Sequence, residues 1–398
     1  MNVAFVLLTH SSDEPAGIER AVASLASGLR EIGHRALIIA AGPPRAEDEH
    51  DLVRLASLHL PHPLLFDDLP QLFADPEPVR REVLEILTAH DINVVCWADA
   101  VVGLGFLSPA PPGVRTALMV HFLREDDHMR RSLAQRPDAV LAVSPFLIDE
   151  AARTGLDTTG WHALPNALPS TGQAPCHDER ERLRRTGPVR IVARADPYKG
   201  IAELLNALPE GFGRPVQIVL AAAAFELGRG MQTELINACR ARAAAFPNVE
   251  VLPAIPWLGV QPFLAEAALT LVPSTRPETF GNVAAESLSV GTPVVAYRFG
   301  HLPVLVGGAG RLVDLDVLSG LGRSSLLTGN TLEAVDFADN AARLWQAAAE
   351  LLDNADAYHA ASAQALHQVS DQSSAAVAEN FLRITAGSLT PATAPGRA

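Results

Sequence analysis

Short apolar runs alternate along this chain with stretches of helical spacing, and the alternation is repeated in two sets. The first set predicts strands at VAFVLLT (3–9), RALIIAA (35–41), INVVCWA (92–98), TALMVHF (116–122) and AVLAVS (139–144). Between them, apolar residues three and four apart predict helices over 17–32, 77–89 and 145–154. The second set predicts strands over 189–193, 216–222, 249–254, 269–274 and 293–297, with helices near 199–208, 230–246, 260–268 and 281–290. Runs apolar on every residue, separated by amphipathic helices, are the mark of parallel βαβ units whose strands are buried on both faces. A Pro/Gly/Ser-rich stretch over 165–179 parts the two sets. The pattern therefore predicts an α/β fold with two doubly wound, Rossmann-like domains facing a cleft. Expected boundaries are 1–170, a linker over 171–187, and 188–370. A final helix is expected over 371–387, followed by a disordered tail over 388–398. Segment 315–331 is long for a loop and reads as an insertion.

Composition narrows the classes. The chain has 398 residues, too many for one ordinary core, and its 48% hydrophobic content suffices for two. Its net charge is −14, which argues against nucleic acid or an anionic membrane as a general partner. Residues 1–170 carry 13 Arg against 23 Asp plus Glu, a net −10. Cys96, Cys176 and Cys239 are odd in number and far apart, which suits a reducing cytoplasm better than a disulfide framework or a zinc site. The opening apolar run is short and has no basic residues before it, so it reads as a buried strand, not a signal peptide. No apolar run approaches the roughly 18 residues that span a bilayer.

Candidate chemistry lies mainly in RPETFGNVAAESLSVGTPVVAY (276–297), where Glu278 and Glu286 flank the start of a helix. Gly281 would let a ligand approach the backbone, and the free first-turn amides would favour an anion. Glu278 is placed to accept hydrogen bonds from hydroxyls and Glu286 to meet a second hydroxylated ring; the same spacing also suits a solvated helix with acids near its start. The second signal is RADPYKG (194–200), which holds the one lysine of the chain beside 30 arginines. Arg194 offers a planar fork and Lys199 a point charge at a strand end, a pairing suited to a diphosphate. In THSSDEPAGIERAV (9–22), Gly17 opens a helix and could bring amides to a phosphate, although a Gly there is common. His121 ends a predicted strand at the edge where doubly wound sheets take ligands, where it could equally be structural. No motif for zinc, a nicotinamide or a P-loop is present, so no metal or cofactor is expected. Asp314 and Asp316 form a DxD pair that reads as a solvated turn.

Jointly these motifs resemble the retaining glycosyltransferases of family 4, which have the GT-B fold, over roughly residues 2–385. The Glu-x7-Glu pair (Glu278, Glu286) is the most specific element, with Arg194-x4-Lys199-Gly200, AGIER, VH at 120–121 and LPNA at 164–167 in the expected order. The resemblance implies that Glu278 binds donor-sugar hydroxyls and Glu286 the nucleotide ribose, while Arg194 and Lys199 hold the diphosphate. It further implies that Phe280, Gly281, Asn282 and Val283 line the donor, that Gly17 approaches the phosphates, and that His121 touches the sugar. A C-terminal helix crossing back to the N-terminal domain and metal-independent transfer from a nucleoside diphosphate sugar, UDP first among the nucleotides, follow from it too. Two departures stand out: the family's double glycine is Ala16-Gly17 here, and its glycine before Arg194 is Ala193.

The acidic N-terminal half, with Asp67-Asp68, 125–127 and 47–49 in expected loops, suggests a soluble cationic or neutral acceptor, such as an aminocyclitol or another natural-product aglycone, as in antibiotic biosynthesis. Assembly of a polysaccharide or glycoconjugate, an epimerase, and a nucleotide-sugar-binding protein without transfer are the alternatives.

Overall fold

The structure, a computed structural model, describes residues 1–11, 16–42, 51–100, 104–105, 110–124, 127–315 and 337–386. Eight strands belong to the N-terminal half: β1 (Asn2–Leu7), β2 (Arg35–Ala40), β3 (Leu52–Arg54), β4 (Leu64–Leu65), β5 (Val94–Trp97), β6 (Arg115–Val120), β7 (Ala139–Ala142) and β8 (Trp161–Ala163). All but β4 form one parallel sheet in the order β3-β2-β1-β5-β6-β7-β8. The second half supplies β9 (Val189–Arg194), β10 (Val216–Ala221), β11 (Phe225–Glu226), β12 (Val249–Leu252), β13 (Leu269–Val272), β14 (Val294–Tyr297) and β15 (Gly310–Val313). Its parallel sheet runs β12-β10-β9-β13-β14-β15. In each sheet the order reverses beside the first strand, between β1 and β5 and between β9 and β13. A crevice opens at the carboxyl ends of the strands at such a point, and ligands collect there.

The central strands are the fully apolar ones. Val3, Ala4, Phe5, Val6 and Leu7 are all inaccessible, as are Val294, Val295 and Ala296, because helices cover both faces of each sheet. Edge strands were harder to foresee. β3, β8 and β15 are half-buried or exposed along most of their length, so no continuous apolar run announces them. The two-residue strands β4 and β11 pair with each other, joining Leu64 to Phe225 and Leu65 to Glu226 across the two halves.

Helix 77–89 has the predicted bounds, as Glu77–Ala89. The helix predicted from 199 starts at Ile201, because Pro197–Lys199 form a 3-10 turn and Gly200 is left-handed at φ +69°. The one predicted over 260–268 instead spans Trp257–Ala265, with Pro256 at its N-cap position. The suspected insertion lies outside the described residues apart from its first, and so does the tail after residue 386.

The last helix, Ser374–Ala386, packs against the N-terminal sheet. Val377, Ala378 and Phe381 share a core with Phe5, Leu25 and Leu29, and the rings of Phe5 and Phe381 are 5.6 Å apart. Gly28 makes this possible: a Cβ there would lie 1.9 Å from the Ser374 carbonyl oxygen. The chain thus passes between the halves twice, and the crossings are bonded to each other. The Leu168 N–H donates to the Gln372 carbonyl at 2.8 Å, and the Ser374 hydroxyl to the Leu168 carbonyl at 2.8 Å. Among the described residues, no helix is long and apolar enough to cross a membrane.

Candidate active site

A cavity of about 320 Å³ lies between the carboxyl ends of the two sheets and is lined from both sides. Its size falls in the range of small-molecule clefts, roughly 300–1,000 Å³. Gly17, His121 and Asn166 come from the N-terminal half; Arg194, Lys199, Ser274 and residues 278–284 come from the other.

Arg194 and Lys199 are set by a short turn. The Asp196 side chain accepts from the Tyr198 N–H, capping the turn, and also from Arg194 Nη2 at 2.8 Å. Gly200 then lets the chain pass close to the exit of β13, where any Cβ would lie 2.1 Å from the Pro273 carbonyl oxygen. Lys199 Nζ thereby reaches Glu278 Oε1 at 2.5 Å, and the Ser274 hydroxyl donates to the same oxygen. Burial acts to raise the Glu278 carboxyl. The charge and hydrogen bond of Lys199, the Ser274 hydroxyl and the Arg194 charge outweigh it and hold the group below the ordinary carboxylate value. Glu278 is therefore an anion at neutral pH, with two cations beside it that remain about a third exposed in their side chains, Arg194 at 37% and Lys199 at 32%.

The backbone of Glu278 is pinned from behind. Gly300 has φ +64°, and a Cβ there would fall 2.5 Å from the Glu278 carbonyl oxygen. The His301 N–H donates to that carbonyl at 2.8 Å. Three residues on, Gly281 caps the helix Asn282–Ser289 in the left-handed region at φ +100°, with no side-chain cap. Gly281, Asn282 and Val283 line the cavity, so the first-turn amides of this helix lie at its wall. Phe280 is buried and stacks on His301 at 6.0 Å.

Hydrogen bonds cross the cleft at its floor. The Ser144 hydroxyl donates to the Thr279 carbonyl at 2.5 Å, Asn166 Nδ2 to Asn282 Oδ1 at 2.8 Å, and Asn282 Nδ2 to the Gly17 carbonyl at 3.2 Å. Gly17 lies so close to Asn282 that a Cβ would approach Nδ2 to 3.0 Å. His121 follows β6, is buried, and its Nε2 has no partner among the described residues; burial pushes it down to about 3, so it is a neutral imidazole facing the cleft.

Glu286 is placed differently from the rest. It is 1% exposed and stands behind the cavity wall, not among the lining residues. Arg20, on the helix Gly17–Glu31 of the other half, does line the cavity, and its Nε lies 3.2 Å from Glu286 Oε1. Burial raises the Glu286 carboxyl, an effect that the Arg20 charge opposes. Its second oxygen, Oε2, is buried without a hydrogen-bond partner among the described residues.

Nine of the ten residues named from the sequence line the cavity, Glu286 being the exception, while Arg20, Ser274, Asn166 and Trp257 were missed. Arg20 sits within the AGIER motif, yet nothing local announces a partner on the opposite half. Trp257 lines the cavity and meets His10 edge-on at 5.7 Å. Asp314 accepts from Arg298 Nε at 2.9 Å and is exposed, away from the cleft; Asp316 lies outside the described residues. Of the acidic loops, Asp67 and Asp68 form part of a short turn, while 125–126 and 47–49 lie outside the described residues.

Comparison with known proteins agrees with this layout. Residues 15–170 match the family model described as Glycosyltransferase Family 4, and residues 189–323 that described as Glycosyl transferases group 1. The D-inositol 3-phosphate glycosyltransferase of Segniliparus rotundus is 38% identical over 128 residues, 32% of this chain and 28% of that protein. The chain therefore spans under a third of that relative's length. The phosphatidyl-myo-inositol mannosyltransferase of Mycolicibacterium smegmatis is 27% identical over 331 residues, 78% of this chain and 81% of the relative. Among solved structures, Anabaena HepE in complex with UDP and glucose superposes with a TM-score of 0.68 at 19% identity, covering 97% of this chain and 100% of that one. Two glycosyltransferase family models thus match successive parts of the chain, and its two halves are set against each other in the GT-B fold.

Proposed function

We propose that this protein is a retaining glycosyltransferase that moves a sugar from a nucleoside diphosphate sugar, UDP first among the nucleotides, to a hydroxyl of a small cyclitol-type acceptor. The observation that carries the reading is the grouping of Arg194, Lys199, Ser274 and Glu278 at the sheet switch point of one half, facing His121 of the other across a shared cavity.

Breaking a sugar–diphosphate bond places negative charge on the leaving oxygen and positive charge on the anomeric carbon. Arg194, Lys199 and the amides of Gly281, Asn282 and Val283 stabilise the first in a site that closure shields from water. Glu278, held as an anion, accepts hydrogen bonds from donor-sugar hydroxyls; releasing Lys199 to the diphosphate is the exchange that donor binding makes. Phe280 forms the apolar wall, Gly17 brings the N-terminal backbone to the phosphates, and the neutral His121 imidazole accepts from or donates to the sugar. Glu286, which stands behind the wall, takes part through Arg20 and not as a lining residue. Retention follows when the acceptor oxygen attacks from the face that the diphosphate leaves, a phosphate oxygen taking its proton. Neutralisation by two side-chain cations makes a metal unnecessary in this scheme.

For the acceptor, the curated relatives are named for inositol compounds, and the net −10 of residues 1–170 favours a neutral or cationic ring over an anionic one. An aminocyclitol fits both. A lipid-linked glycoconjugate is the second reading, favoured by the length of the match to the phosphatidyl-myo-inositol mannosyltransferase. The test is a thermal-shift panel of UDP, GDP, dTDP and ADP sugars, since a ligand that binds the folded state raises the melting point. Turnover follows with myo-inositol, its 3-phosphate, an aminocyclitol and phosphatidylinositol. Stabilisation by one donor and α-to-α transfer to the aminocyclitol are expected. Transfer only to the anionic lipid refutes the acceptor assignment, and donor turnover with no acceptor points to an epimerase or hydrolase.

A further inference from the structure

Each cation of the cavity wall is tied to a carboxylate, and the third pair is the unusual one. Arg194 is held by Asp196 and Lys199 by Glu278, all four within one half of the molecule. Arg20 comes from the opposite half and is held by Glu286 through Nε. Nothing else among the described residues pairs with the Arg20 side chain, so both Nη groups of this cavity-lining residue lack an acceptor among them. Its side chain is only 13% exposed, and the carboxylate that fixes it stands behind the wall, at 2%. The cavity therefore meets the cation and not its counter-ion. A guanidinium whose Nε side faces a counter-ion leaves its Nη groups free as a rigid fork, the geometry that suits phosphate oxygens.

We propose that Arg20 is a third phosphate-binding cation, supplied by the opposite domain and aimed at the donor diphosphate by Glu286. The inference rests on the reading of the cleft as a nucleotide-sugar site and adds two roles to it. Arg20 is a binding residue; Glu286 is a positioning residue. Because Arg20 reaches the diphosphate from the far wall, the phosphates are gripped from both domains only when the cleft is shut.

Calorimetric titration compares UDP, GDP, dTDP and ADP with uridine, guanosine, thymidine and adenosine on wild type, Arg20→Gln and Arg20→Lys. For whichever diphosphate binds, Arg20→Gln is expected to weaken affinity roughly tenfold or more, the scale of a hydrogen bond to a charged group. Affinity for the matching nucleoside is expected to stay within about twofold, since the nucleoside lacks the phosphates that the charged fork would bind. Arg20→Lys keeps the charge but cannot bond Glu286 and a phosphate through one planar group, so a loss of at least about threefold is expected. This variant carries the test alone if Arg20→Gln fails to fold. Diphosphate affinity equal to wild type in both variants overturns the inference and leaves the proposed function standing. Equal loss for nucleoside and diphosphate also overturns it, because the residue would then serve the base or the fold. If diphosphate affinity holds while inositol 3-phosphate affinity falls, the anion belongs to the acceptor and the donor assignment is refuted. A wild type that binds none of the four diphosphates removes the proposed function itself, and the inference with it.

Discussion

At the scale of single residues, the cleft is a set of charges that would be unfavourable alone and are made tolerable in pairs. Glu278 is buried, and only Lys199, Ser274 and Arg194 keep it ionised. Replacing Lys199 with Ala removes both its charge neutraliser and one of the diphosphate cations. A fall in kcat of about 10²-fold or more is expected, the size seen when one preorganised donor is lost; steady-state kinetics with the identified donor measures it. The two buried imidazoles give a pH prediction. Burial lowers His121 to about 3 and His301 to about 4 from an ordinary value near 6.5. Both are neutral in the folded state over a range where the unfolded chain protonates them. Their contribution is therefore intact above about pH 6.5 and is lost as pH falls towards 4. The loss is about 1.4 kcal/mol per pH unit for each histidine. Urea denaturation at a series of pH values should show the decline, and His301→Asn should make it shallower. An unchanged slope in that variant would show that His301 is solvated.

At the scale of elements, the site depends on turns that only glycine can make. Gly300 is strained for any other residue, and a Cβ there would collide with the backbone of Glu278. Gly300→Ala is expected to cost about 1–3 kcal/mol of stability and to displace the Glu278 carboxylate. The checks are a lowered denaturation midpoint and a kcat loss larger than any change in KM. How legible was this from the sequence? The buried central strands were plain, since VAFVL or PVVAY can hardly be anything but a strand covered on both sides. So was the Glu278 loop, because its glycine and acids sit within one short stretch. Gly300 was not, because its meaning comes from a carbonyl more than twenty residues earlier in the chain. Edge strands such as Leu52–Arg54 carry half-exposed side chains and no apolar run. Arg20 was visible as a charge on a helix, but the buried carboxylate that aims it lies on the other sheet's side of the cleft. Local pattern reports burial well and cross-domain pairing hardly at all.

At the scale of the whole molecule, two sheets are joined by crossings at Leu168 and Ser373 that bond to each other, by the β4–β11 pair, and by side-chain hydrogen bonds at the cleft floor. A hinge at the bonded crossings would let the halves part while keeping their register. The Ser374–Ala386 helix belongs to the first domain's core. Phe381 is fully buried against Phe5, and Phe381→Ala is expected to destabilise by about 3–5 kcal/mol through the cavity it leaves. Chemical denaturation followed by tryptophan fluorescence would record it. A shift under about 1 kcal/mol would mean that the helix can collapse onto the sheet without its ring.

That same helix has a consequence for how the protein is made. Translation delivers β1 long before the segment that seals its outer face. Until that segment has left the ribosome, Phe5, Leu25 and Leu29 lack their cover. The first domain must wait, half-clothed, while the second is synthesised, so nascent chains cut short by premature termination would expose a sticky apolar stripe and call for chaperone protection.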